Sequence, residues 1–176
     1  MVITLIGYRG SGKSSVARLL ATTLEMPWVD SDDVIEERTG RSIREIFSRD
    51  GESAFRRSEQ DVIRELTGRD SLVIAAGGGA ILTAENRRRM KEAGPVVWLQ
   101  ASTEQLAERI QQDETTADRR PSLTGQSVSE EIKTVLNSRL MQYQDAATIT
   151  INTDGLSLDQ VTAEIRRQLP STEPLR

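Results

Sequence analysis

Five short apolar runs punctuate the chain: "VITLI" at 2–6, "PWV" at 27–29, "LVIAA" at 72–76, "PVVWL" at 95–99 and "ATITI" at 147–151. Runs this apolar and rich in β-branched residues fit strands covered on both faces, and between them lie segments of helical period. The alternation predicts an α/β fold, a five-stranded parallel sheet with helices on both faces in three layers. Val16, Leu19, Leu20 and Leu24 keep helical spacing, as do Phe55, Val62, Ile63 and Leu66, with Gly68 as a stop. Ser102 with Gln105, and Ser157 with Gln160, have the spacing of capping boxes and put helix starts near 103 and 158. "QQDETTADRRPSLTGQS" has no apolar period and reads as a long mobile loop between two helices, a lid at about 113–126. "PSTEPLR", 170–176, has little to bury and is expected to be a flexible tail.

At 176 residues the chain suits one domain, expected over 1–169. A net charge of −4 gives no general attraction to nucleic acid or membrane, so any anion site is local. The chain has no cysteine and no histidine, which excludes thiolate catalysis and the commonest general base and leaves acid–base work to carboxylates or lysine. The opening apolar run is too short to span a bilayer and has no basic flank or cleavage pattern, so the expectation is a cytoplasmic protein.

Gly7 to Ser14 reads "GYRGSGKS", which matches GxxxxGK[ST] between an expected strand and an expected helix. Such a loop wraps backbone N–H groups around phosphate oxygens, here along Gly10, Ser11, Gly12, Lys13, Ser14 and Ser15. Lys13 is placed to reach the β/γ-phosphates and Ser14 to hold Mg²⁺. The [NT]KxD motif of guanine-specific sites is absent, which favours ATP.

"VDSDD" puts Asp30 and Asp32 at the carboxyl end of the second strand, beside that loop. One could support Mg²⁺ and the other accept a proton from an attacking hydroxyl, or the pair could simply open a helix. Gly77, Gly78 and Gly79 in "AAGGGA" would let a ligand lie against the backbone, or make a tight turn. Arg139 falls on the apolar stripe of Ile132, Val135, Leu136 and Tyr143, where it either meets an anion or snorkels to water. Arg120, in the expected lid, either closes over transferring phosphate or belongs to a solvated basic loop.

"GYRGSGKSS", "VDSDDVIEERTGRSIREIF", "DGESAFRRSE", "AAGGGA", "RRP" and Arg139 in "NSRLMQY" together resemble shikimate kinase, in this order and over residues 2 to about 165. The resemblance implies a P-loop kinase fold and transfer of the ATP γ-phosphoryl group to the 3-hydroxyl of shikimate, with Mg²⁺, in a monomer. It makes Lys13, Asp32 and Arg120 catalytic, with Asp32 as base and holder of shikimate's hydroxyls. It makes Arg56 and Arg139 a clamp on the carboxylate, Phe47 and Phe55 pocket walls, and Gly78 a backbone approach to the ring. Asp30 and Ser14 serve Mg²⁺, and Arg109 packs on adenine. The chain departs from the family where lids usually read R-P-L-L and it has "RPSL", and where R-x-P-L-Y is usual and it has "RLMQY". The serine could loosen the lid's seat, and the missing proline could change how the helix ends. Two other readings stand beside this one: a kinase for gluconate or a nucleoside monophosphate, and a non-catalytic ATP-binding regulator.

Overall fold

A computed structural model describes residues 1–112 and 127–170. Arg120, the expected lid and residues 171–176 of the expected tail lie outside the described residues.

Five parallel strands, β1 (Val2–Ile6), β2 (Trp28–Asp30), β3 (Leu72–Ala75), β4 (Val96–Gln100) and β5 (Ile149–Asn152), form one sheet in the order β2-β3-β1-β4-β5. The helices are α1 (Lys13–Leu24), α2 (Ser31–Thr39), α3 (Ile43–Thr67), α4 (Ala84–Ala93), α5 (Thr103–Gln112), α6 (Val128–Ala146) and α7 (Leu158–Gln168), with a 3₁₀ turn at Ala80–Leu82. Successive strand residues point to opposite faces, so Ile3, Leu5, Val73, Val97 and Leu99 pack with α1 and α7. Val2, Ile6, Ile74, Val96 and Trp98 pack with α2, α3, α4 and α6 on the other face. This is the three-layer arrangement expected from the unbroken apolar strands. A smaller cluster of Tyr8, Leu106, Ile110, Ile132 and Val135 fastens α5 and α6 over the loop after β1.

Helix starts fall where the capping pairs put them. Ser102 Oγ accepts from the Gln105 N–H ahead of α5, and Ser157 with Gln160 forms a full capping box at α7. Two further capping boxes, Ser42 with Glu45 and Ser127 with Glu130, open α3 and α6. β5 begins two residues later than the apolar run suggested, at Ile149. Ala147 is taken up by the end of α6, its N–H donating to Tyr143 O, and the Thr148 hydroxyl accepts from the Val96 N–H. α6 runs without interruption through "RLMQY", so the missing proline leaves the helix continuous to Ala146. α3 is kinked at Gly51, where φ 80 and ψ 170 depart from helical values, between Phe47 on one arm and Phe55 and Arg56 on the other.

Candidate active site

Gly7 follows β1 with no room for a side chain. A methyl there would lie 2.7 Å from Leu99 O, so the loop presses directly on the end of β4. Gly10 and Gly12 take left-handed φ values of 78 and 89, which turn the chain into α1. Gly12 is the N-cap and supplies no side-chain cap, and the first turn of α1 has no acidic residue. The first N–H groups of a 12-residue helix are therefore left facing the loop, the arrangement that attracts phosphate. Lys13 Nζ donates to Gly7 O and Tyr8 O, each at 3.0 Å, so its charge stands inside the arch. Ser11 is buried within the loop, and Ser15 is exposed one position beyond Ser14.

Ser14 Oγ donates to Asp30 Oδ2 at 2.6 Å, while Asp30 Oδ1 accepts from the Asp32 N–H at 3.0 Å. The two readings of Asp30 are thus compatible: one oxygen caps α2 and the other faces the phosphate loop. Among the described residues no group of three or more His, Cys, Asp or Glu is placed to hold a metal ion. Two hard oxygen donors beside a phosphate cradle do fit Mg²⁺, which usually completes its shell with phosphate oxygens and water.

The glycine run gathers polar and charged side chains from α2, α3 and α6. A methyl on Gly77 would lie 2.5 Å from Asp32 Oδ1 and 3.2 Å from Glu59 Oε1, so two carboxylates lie against its backbone. The Gly77 N–H donates to the buried Ser31 Oγ at 2.9 Å, which ties the run to α2. Gly78 O accepts from Arg139 Nη1 and from Tyr143 Oη, both at 3.2 Å. Arg139 is half-buried and turned inward. A methyl on Gly79 would lie 2.2 Å from Arg56 Nη1. These glycines therefore admit the protein's own charged side chains, a use the sequence does not specify.

Arg56 is held by Glu59 Oε2 at 2.8 Å and Glu52 Oε1 at 3.2 Å, and its guanidinium lies 5.2 Å from the centre of the Phe55 ring. Burial works against its charge, but the Glu59 and Glu52 carboxylates outweigh that and raise its pKa above the ordinary arginine value. Phe47 and Phe55 meet with ring centroids 4.7 Å apart. Phe55 is only 2% exposed and belongs to the main core, which bears out the core reading.

On the other side of the loop, Arg109 donates to Thr153 Oγ1 at 3.3 Å and Thr153 O at 3.5 Å, which lays it across the segment after β5. Sequence reasoning brought Asp30, Asp32, Arg56 and Arg139 to this end of the sheet but missed Glu59 and Tyr143. Glu59, 0% exposed, is three residues from Arg56, and Tyr143 is four from Arg139. Helical spacing was the signal available for both.

The contact at Gly79 supports a direct expectation. Gly79→Ala keeps an ordinary backbone, φ −102 and ψ −3, so the fold survives while Arg56 is displaced. The acceptor KM should rise on the order of tenfold, since small misplacements of a positioning group are costly. Melting temperature should fall, because displacing Arg56 weakens its ion pair with the buried Glu59. Unchanged acceptor kinetics would remove Arg56 from the site.

The model of the shikimate kinase family matches residues 9–170. A shikimate kinase from Rhodopirellula baltica is 45% identical, with 96% of this chain and 90% of that protein covered. One from Symbiobacterium thermophilum is 41% identical, with 96% of each covered. The structure of a shikimate kinase from Acinetobacter baumannii in complex with shikimate is similar with a TM-score of 0.88 and 37% identity, covering 94% of this chain and 90% of that one.

Proposed function

The chain belongs to the shikimate kinase family, and on that premise we propose how its residues divide the work of moving the γ-phosphoryl group of ATP to the 3-hydroxyl of shikimate. The chain is an ATP-dependent kinase that acts on shikimate. The observation that carries the division is that Asp32, Arg56 and Arg139 all reach the Gly77–Gly79 backbone, while Ser14 and Asp30 bond the phosphate loop to the same side.

Arg56 and Arg139 hold the substrate carboxylate, with Phe47 and Phe55 beside it. Asp32 orients the hydroxyls and accepts the proton as the 3-oxygen attacks the γ-phosphorus. The bond to the β-phosphate oxygen breaks, and ADP leaves with the electron pair. Gly10 to Ser15 cradle the phosphates, and Lys13 offsets charge on the transferring group. Arg120, from outside the described residues, is assigned to the same charge. Mg²⁺, bound through Ser14 and Asp30, would neutralise phosphate charge. Arg109 stacks on adenine, which its position across Thr153 supports.

Among the described residues no helix is long and apolar enough to cross a membrane. The monomeric state rests on the family resemblance.

ADP release tests the acceptor, with Mg-ATP and shikimate run beside gluconate, AMP and no acceptor. Turnover with shikimate alone is expected. Turnover with gluconate or AMP would overturn the pocket, and ATP binding without turnover on any acceptor would restore the regulator reading.

A further inference from the structure

Arg9, inside the phosphate loop, has no part in the roles above. Its Nη2 meets Glu131 Oε1 at 2.5 Å, with the side chains only 14% and 1% exposed. Glu131 stands in the first turn of α6. The next residues of that helix, Ile132 and Val135, pack with Tyr8, whose carbonyl accepts from Lys13. Further along α6, Arg139 and Tyr143 grip Gly78 O. One helix thus holds the arch of the phosphate loop at its start and the acceptor backbone near its end.

Stability is a weak reason for such a pair. Removing two charges from water is costly, and apolar residues of similar volume often serve a fold equally well or better. A directional contact between fixed elements gives position instead. We propose that the Arg9–Glu131 pair is a positioning device. It sets the phosphate loop on α6 so that Lys13 stands at a fixed place relative to the acceptor pocket held by the same helix. The inference rests on the reading of the loop and Lys13 as the nucleotide cradle.

The test compares Arg9→Met, Glu131→Met, the double methionine variant and the exchange Arg9→Glu with Glu131→Arg. ATP and shikimate KM, kcat, melting temperature and calorimetric binding of ATP without shikimate are measured on each. In the double methionine variant, packing is retained while the directional contact is lost. ATP KM and Kd should rise about tenfold or more, in keeping with the cost of misplaced positioning groups. Shikimate KM should change less than threefold, and the exchange should recover part of the ATP affinity. Each single variant should weaken ATP comparably.

A folded double variant with unchanged ATP KM overturns the proposal, as does an equal rise in both KM values. A large effect from Arg9→Met with none from Glu131→Met also overturns it, because Arg9 would then be touching phosphate itself. If the methionine variants do not fold, Glu131→Asp draws the carboxylate back by one methylene, and unchanged ATP binding there is equally decisive. Failure of the underlying cradle shows separately, as Lys13→Met with normal ATP affinity and turnover.

Discussion

Asp32→Asn lowers kcat with ATP and shikimate by about 10²–10⁴-fold, the range expected when a positioned proton acceptor is lost. Asparagine keeps the shape of the side chain, and the backbone N–H of residue 32 still donates to Asp30 Oδ1. The helix start and the Ser14–Asp30 hydrogen bond, where Mg²⁺ is proposed to bind, are thereby preserved, so the loss reports proton transfer. Asp32 sits in the first turn of α2, where the helix end attracts negative charge, and against Gly77, which leaves the carboxylate no side chain to displace. Steady-state kinetics at saturating ATP and shikimate make the measurement. A near-normal kcat would leave Asp32 as a holder of hydroxyls, with positioning and charge neutralisation accounting for the transfer.

Arg139→Ala raises shikimate KM about 30-fold or more. Losing one arm of a desolvated charge clamp costs about 2–5 kcal/mol, and each 1.4 kcal/mol is a factor of ten. An arginine in an exposed ion pair contributes only about 0–1 kcal/mol, so the two roles are separated by magnitude. The fold should tolerate the change, because Tyr143 Oη continues to donate to Gly78 O and its ring stays stacked on Trp98, centroids 5.2 Å apart. Kinetics with shikimate varied at fixed ATP, and the reverse, should show the rise confined to shikimate. An unchanged shikimate KM would make Arg139 an arginine whose head merely reaches water.

Features local in the chain were the most legible. The phosphate loop lies within Gly7–Ser14, between a strand and a helix that each carry their own pattern, and Asp30 and Asp32 follow directly on β2. Arg139 could be placed inward from the stripe of its helix. What it touches could not, because Gly78 is 61 residues away and a carbonyl has no sequence signature. The Arg9–Glu131 pair, 122 residues apart, was illegible for the same reason. Glu59 was within the quoted "FRRSE" but reads as a solvated helix charge until tertiary packing buries it beside Arg56. The start of β5 was misjudged because apolarity alone does not separate the last turn of a helix from the first residue of a strand.

The strand order has a consequence for how the protein is made. β1 emerges first from the ribosome, yet it pairs with β3 and β4, and the loop after it rests on the Leu99 carbonyl. Those partners are 70 and 92 residues further on, so the phosphate loop is encoded early and assembled late. A growing chain that ends before β4 has the whole nucleotide motif and β3 beside it, but not the Leu99 carbonyl on which the loop rests. The complete cradle, and the full stabilisation that bound nucleotide gives the fold, therefore wait for β4 to join the sheet.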